Sequence, residues 1–151
     1  VYIQDLLDDW LGNASARVIL PITDPYVIHH GALGSFATAY LPEEANTDEI
    51  LNRLSEIDGI MLVLKRDQAA KRFQLPVDRI GDLIIISSEN VAIGTSADKH
   101  DLAVLDEPLR SHGGLTEQEV PFIANRRMEL PTAPQLRNFD AFYFAAIAAR
   151  A

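Results

Sequence analysis

Short β-rich apolar segments alternate with helical segments through the first 88 residues of this 151-residue chain. Within residues 47–57, Ile50, Leu54 and Ile57 recur at the spacing that places apolar side chains on one face of a helix, and Thr47 is its predicted N-cap. The predicted elements are a helix over 1–11, strands over 16–22 and 35–41, a helix over 47–57, a strand over 60–64, a helix over 66–73 and a strand over 83–88. This alternation predicts helices packed on a sheet, which is an α/β fold class.

The second half of the chain has a different pattern. Residues 94–121 contain three glycines and two prolines without sustained periodicity, which predicts a long ordered loop. Loops of this length in compact domains are usually functional. Residues 138–150 return to helical spacing and predict a last helix with an aromatic packing face made of Phe139, Phe142, Tyr143, Ala146 and Ile147.

Charge and composition exclude several classes of function. The chain has 22 Asp and Glu residues against 13 Lys and Arg, a net charge of -9, so it would repel a phosphate backbone and we expect no nucleic-acid partner. It has no cysteine, which excludes disulfides, thiolate catalysis and thiolate-bound zinc. The apolar runs 18–22 and 83–86 are far shorter than the roughly 20 residues that span a bilayer. We therefore expect no membrane partner and a cytoplasmic location.

The best candidate for a functional residue is His112, in the segment Leu-Arg-Ser-His-Gly-Gly over residues 109–114. The two glycines that follow it would let the backbone approach a ligand or metal without a Cβ in the way. A neutral imidazole binds zinc at about 2.0 to 2.1 Å, but a zinc site needs three or four ligands. The triplet alone therefore leaves a structural role as the alternative.

The other ionisable candidates favour structural roles. His29 and His30 are adjacent, and adjacent residues on a strand point to opposite faces, so they are poorly placed to share one metal. His100 lies in a charged segment and is predicted to pair with a nearby aspartate in a solvated loop. Glu117 and Glu119 would serve as acid and base, yet acids in this position are also typical of the positive end of a helix.

The common nucleophile, nucleotide and metalloprotease motifs are absent. The sequence has no Gly-x-Ser-x-Gly elbow, no P-loop and no His-Glu-x-x-His. Its Gly31-x-x-Gly34 is too short for a dinucleotide fingerprint.

Four segments together resemble the phosphonoacetate hydrolases, a family of the alkaline phosphatase superfamily. They are residues 24–37, with Asp-Pro-Tyr-Val-Ile-His-His-Gly, residues 79–83, with Arg-Ile-Gly-Asp-Leu, residues 99–102, with Lys-His-Asp-Leu, and residues 109–121, with Arg-Ser-His-Gly-Gly-Leu-Thr-Glu-Gln-Glu-Val-Pro. The segment from 110 to 121 also resembles phosphodiesterase and phosphatase relatives of the same superfamily. A metal-dependent enzyme of that kind is one alternative, and a non-catalytic α/β binding module is the other.

The resemblance implies a hydrolase with two zinc ions that cleaves the carbon–phosphorus bond of a small phosphonate through a threonine nucleophile. His112 matches the late His-Gly of the family, which supplies one zinc ligand. The nucleophile and the other metal ligands belong to a preceding portion of the family sequence, so no catalytic residue is assigned in this chain. Their absence implies that this chain is a C-terminal part of the enzyme and is inactive by itself. The start at Val1, without an initiator Met, likewise predicts a part of a longer protein.

The same resemblance implies a domain organisation. Residues 1–22 would be a core segment of helix and strand, residues 23–100 an inserted α+β cap subdomain, and residues 101–151 a second core segment with the metal-ligand loop. Apolar faces that such a part leaves uncovered favour association, so we expect a homo-oligomer.

Overall fold

The computed structural model describes residues 1–21, 33–100, 102, 112–125 and 136–149. The helices and strands, in chain order, are α1 (Ile3–Leu11), β1 (Arg17–Ile19), β2 (Phe36–Tyr40), α2 (Thr47–Ser55), β3 (Ile60–Lys65), α3 (Arg66–Phe73), β4 (Leu83–Ser87) and α4 (Asp140–Ala148). Short 3₁₀ helices lie at Val77–Arg79, Ala97–Lys99 and Leu115–Glu117. Each predicted helix and strand is present with the predicted type, and the mixture of helices with one sheet agrees with the α/β class.

The sheet has the strand order β1-β2-β4-β3, and every neighbouring pair is antiparallel. Strand β4 lies inside the sheet, and all five of its residues are buried. Successive side chains of a strand point to opposite faces. Accordingly, Leu83 and Ile85 join one apolar cluster while Ile84 and Ile86 join another. The continuous apolar run in the sequence therefore reflects a strand that is covered on both faces.

Helices α1 and α2 cover the first face of the sheet. Ile3 and Leu7 of α1 and Leu54 of α2 have no exposed surface and share a cluster with Ile85. Each fully buried side chain of this size contributes about 1.5 to 3 kcal/mol. The guanidinium of Arg53 lies 3.9 Å from the ring centre of Trp10 and joins the outer surfaces of the two helices.

The start of α2 differs from the prediction in one detail. The side-chain oxygen of Asn46, not that of Thr47, accepts a hydrogen bond from the backbone N–H of Glu49 at 3.3 Å. An N-cap needs an extended backbone, and Asn46 has one with φ -76° and ψ 92°. Thr47 is already inside the helix, so the prediction that it caps the helix is wrong by one position.

The Arg-Ile-Gly-Asp segment that carries part of the resemblance joins strands. Asp82 accepts from the guanidinium of Arg66 and from the backbone N–H of Leu41, both at 2.8 Å. Gly81 donates its N–H to the hydroxyl of Thr38 at 2.7 Å, and a Cβ on Gly81 would lie 2.5 Å from that oxygen. The segment therefore connects the beginning of β4 to the end of β2.

The chain divides into two compact units, residues 1–119 and 120–151. In the second unit, Phe144 of α4 is buried and makes edge-to-face ring contacts with Phe122 and Tyr143, at 5.6 and 5.7 Å between centroids. The predicted packing face of this helix is wrong, because Phe142 is 80% exposed and the rest of that face is exposed as well.

Several predictions fall outside the described residues. The turn at Asp24-Pro25 and both His29 and His30 lie between residues 22 and 32, and most of the predicted loop between 101 and 111 is also outside. The predicted domain boundaries at residues 22 and 100 stay a prediction, although β1 from the first predicted segment pairs with β2 from the second.

Within the described ranges, no helix has the length and apolarity needed to cross a membrane.

Candidate functional site

His112 is attached to the sheet through Gly34 and Ser35, the two residues that precede β2. The backbone N–H of Ser35 donates to the carbonyl of His112 at 2.8 Å. On the other side, the carbonyl of Ser35 accepts from the N–H of Ser87 at 3.0 Å, and the carbonyl of Gly34 accepts from the N–H of Ile93 at 2.6 Å. The Gly34-Ser35 pair is thus hydrogen-bonded to His112, to Ser87 of β4 and to Ile93.

The imidazole of His112 lies against the α-carbon of Gly34. A Cβ built on Gly34 would be 2.9 Å from the carbonyl oxygen of His112, 3.0 Å from its ring Cε1 and 3.2 Å from its Nδ1. Real Cβ atoms essentially never approach other atoms below 3.0 Å. Glycine at position 34 is therefore what allows the ring and the carbonyl of His112 to approach this closely.

The ring nitrogen Nε2 of His112 is a buried polar atom without a hydrogen-bond partner in the described parts of the chain. Leaving a buried polar atom unsatisfied costs about 1 to 3 kcal/mol, so such an atom calls for a partner. A neutral imidazole nitrogen of this kind fits a metal ligand. Among the described residues, no group of three or more His, Asp or Glu could hold a metal, so His112 would contribute one ligand to a larger set.

The two glycines after His112 shape the loop around Ser35. Gly113 has φ +77°, a left-handed conformation that favours glycine. A Cβ on Gly114 would lie 2.7 Å from the Cβ of Ser35, so the missing side chain lets the loop pack onto that residue. The described contact of Gly114 is thus with protein, whereas the sequence had suggested an approach to a ligand.

Glu117 closes the same loop. Its carboxylate accepts the backbone N–H of Gly114 at 2.7 Å, at the start of the 3₁₀ helix Leu115–Glu117. Leu115 packs beside the apolar cluster on the α3 side of the sheet. Glu117 therefore acts as a local cap, which agrees with the structural interpretation of this acid, and Glu119 is exposed.

His100 lies in a separate and more enclosed place. It is only 7% exposed, its ring stacks on Tyr2 with a centroid distance of 6.1 Å, and its Nε2 accepts the backbone N–H of Thr95 at 3.1 Å. This bond places the proton of the neutral ring on Nδ1, which is buried without a partner among the described residues. The prediction of a solvated loop position is wrong, because Gly94 leaves room for the ring to turn inward.

The environment of His100 shifts its titration. Burial lowers the pKa of this imidazole, and the charge of Lys99 lowers it further. Asp98 and Asp5 oppose the shift by smaller amounts. The neutral form is therefore the one that this position favours.

Sequence reasoning missed Gly34 and Ser35 as partners of His112. Gly34 and Ser35 lie in the segment 24–37 that carries part of the resemblance, but a glycine immediately before a strand is a weak indication of close packing. The contact joins residues that are remote in the chain, and no local periodicity reports on such a pair.

Comparisons with known proteins agree on one kind of enzyme. No family model matches the chain. A curated phosphonoacetate hydrolase from Penicillium oxalicum is 61% identical over 31 residues, which is 20% of this chain and 43% of that protein. Two solved structures of phosphonoacetate hydrolase from Sinorhizobium meliloti 1021, one in complex with phosphonoformate and one with phosphonoacetate, are each 67% identical with a TM-score of 0.86. Each match covers 99% of this chain and 36% of the solved chain. The resemblance to phosphonoacetate hydrolases is therefore confirmed, and the chain spans about a third of the length of these solved relatives.

Proposed function

We propose that this chain is part of a phosphonoacetate hydrolase, an enzyme that cleaves the carbon–phosphorus bond of phosphonoacetate to give acetate and phosphate. The observation that carries the proposal is the 67% identity over 99% of the chain with an enzyme of that name solved with phosphonoacetate bound. The expected substrate is a small phosphonate, and the expected scaffold is an alkaline-phosphatase-like core with an inserted cap.

His112 is the residue of this chain that we assign to the reaction, as a zinc ligand through Nε2. The support is physical: this nitrogen is buried and has no partner in the described residues, the backbone carbonyl of His112 is hydrogen-bonded to Ser35, and its ring lies close to Gly34. Zinc bound at such a site would supply positive charge to offset that of the phosphonate. As a ligand, His112 would donate the lone pair of Nε2 to the metal. The threonine nucleophile and the other ligands would come from the rest of the enzyme.

The test uses the complete enzyme that contains this chain, as wild type and as His112→Ala. We expect the variant to lose about one zinc per chain, because the metal would keep too few protein donors. Removing outer-shell partners of a metal ligand already costs about 10- to 100-fold in affinity or activity, so turnover should fall by more than about 100-fold. Zinc is measured by elemental analysis and turnover by release of phosphate from phosphonoacetate.

A matched control is His100→Gln, which removes the buried imidazole that lies outside this site. It should keep both the zinc content and the turnover per folded molecule. If His112→Ala keeps its zinc and its turnover, the assignment of His112 is wrong. If the complete wild type releases no phosphate from phosphonoacetate but hydrolyses phosphate diesters, the related phosphodiesterase function replaces the proposed one.

A further inference from the structure

We propose that Gly34 is a positioning residue for the metal-binding imidazole, and that its missing side chain fixes the direction in which Nε2 of His112 points. This inference rests on the proposed function, because it concerns the ligand role of His112. The role assigned to Gly34 is indirect, because Gly34 would act through its contact with His112.

The backbone conformation of Gly34 does not itself require glycine. Gly12, Gly59 and Gly113 have φ values between +77° and +94°, where other residues are strained, whereas the φ of Gly34 is outside the left-handed range. The requirement at position 34 therefore comes from space, and the atoms that occupy the space belong to His112.

The contact cannot be relieved by a simple turn of the imidazole. The nearest atom to a Cβ on Gly34 is the carbonyl oxygen of His112, at 2.9 Å, which is also the acceptor for the N–H of Ser35. Moving this oxygen away would stretch that hydrogen bond, and turning the ring alone would leave the oxygen in contact. A side chain at 34 would therefore displace the backbone of His112 and its Nε2 together.

Gly34 is held by bonds to buried residues, so a side chain at position 34 would displace His112 and not the backbone of Gly34. The carbonyl of Gly34 is bonded to the N–H of Ile93, which has no exposed surface, and the next carbonyl is bonded to Ser87 in the buried strand β4. The loop of His112, by contrast, is exposed at Gly113 and from Thr116 to Val120. Functional groups must stay within about 0.5 Å of their working positions, so a shift on this scale is enough to weaken metal binding.

The experiment compares Gly34→Ala with Gly59→Ala in the complete enzyme. Gly59 has φ +88°, and a Cβ there would lie 3.0 Å from the side chain of Val91, so the control also disturbs a tight glycine in the same unit. We expect Gly34→Ala to raise the zinc Kd by about 10- to 100-fold, measured by competition with a chelator, and to change the visible absorption of the cobalt-substituted enzyme. The control should lower Tm but leave the zinc Kd within about threefold and the cobalt spectrum unchanged.

Unchanged zinc affinity and cobalt spectrum in folded Gly34→Ala would overturn the positioning role. If His112→Ala also keeps its zinc, the assignment of His112 as a ligand has failed; if His112→Ala loses zinc while Gly34→Ala keeps it, only the positioning role has failed. The hydrolase function itself is tested separately, by release of phosphate from phosphonoacetate in the wild type.

A measurement on the wild type covers the outcome in which Gly34→Ala does not fold. Crystal structures of the complete enzyme with zinc and after chelation should show one and the same rotamer of His112. A ring that becomes disordered or changes rotamer when zinc is removed would overturn the inference, because a ring positioned by Gly34 keeps its direction without the metal.

Discussion

The two compact units of the chain differ in how far their apolar side chains are buried. In residues 1–119, strand β4 is buried along its whole length between two apolar clusters. In residues 120–151, helix α4 is also rich in apolar residues, yet Phe144 is its one buried residue among those described. Phe142 and Ile123 of this unit are 80% and 87% exposed. The comparison shows that an apolar pattern predicts burial only where other layers are present to cover it.

The largest expected effect is on the core of the first unit. Ile85→Ala should lower the free energy of unfolding by about 2 to 5 kcal/mol, because it removes buried methyl groups and leaves a cavity between the sheet and the helices. Trp10 is the single tryptophan of the chain and packs against the same cluster, so its fluorescence reports unfolding of this unit in denaturant. The control is Met61→Ala, since Met61 is 43% exposed and its loss should cost less than about 0.5 kcal/mol. Equal effects from both variants would contradict the description of this core.

A smaller effect should come from the buried histidine of the first unit. Because burial lowers the pKa of His100 in the folded chain, the unfolded chain binds more protons between that lowered pKa and the ordinary value of about 6.5. The contribution of His100 to stability is therefore present above about pH 6.5 and is lost as the pH falls through this window. His100→Gln should flatten the decline, measured as the unfolding midpoint of Trp10 fluorescence from pH 8 to pH 5. A variant whose midpoint declines as steeply as that of the wild type would show that His100 is not the titrating group.

The smallest effect on stability is expected in the second unit. Phe142→Ser should change the free energy of unfolding by no more than about 0.5 kcal/mol, because the side chain is exposed. The same change should reduce self-association of the 151-residue chain, since large exposed apolar patches favour association. Analytical ultracentrifugation and binding of a hydrophobic dye provide the measurement, with Phe144→Ser as the buried counterpart that should unfold α4. A wild-type chain that stays monomeric and binds no dye would contradict the expectation of a homo-oligomer.

The sequence predicted most of the elements and little of their arrangement. The heptad-like spacing in α2 and the apolar run of β4 are local patterns, so their types and approximate ends could be read directly. The antiparallel order of the strands depends on pairing between remote segments, which no local pattern contains. The exposed face of α4 was predicted as buried because aromatic spacing indicates a face but does not say what covers it.

The candidate site, too, was only partly predictable from the sequence. His112 was identifiable from its His-Gly-Gly triplet and the family resemblance, whereas its contacts with Gly34 and Ser35 required the folded chain. The sequence predicts a solvated position for His100 because its neighbours, Asp98 and Lys99, are charged. In the folded chain its ring stacks on Tyr2, which is remote from His100 in the sequence.

The chain positions of the residues that are hydrogen-bonded to Ser35 suggest the order in which these contacts form during synthesis. Ser35 is hydrogen-bonded both to Ser87 and to His112, and the ribosome produces His112 after Ser35 and Ser87. Domains generally begin to fold from the N-terminal side as they emerge, so the strands that hold Ser35 can pair before the histidine leaves the ribosomal tunnel. The backbone of His112 can then bind to strands that have already paired with each other.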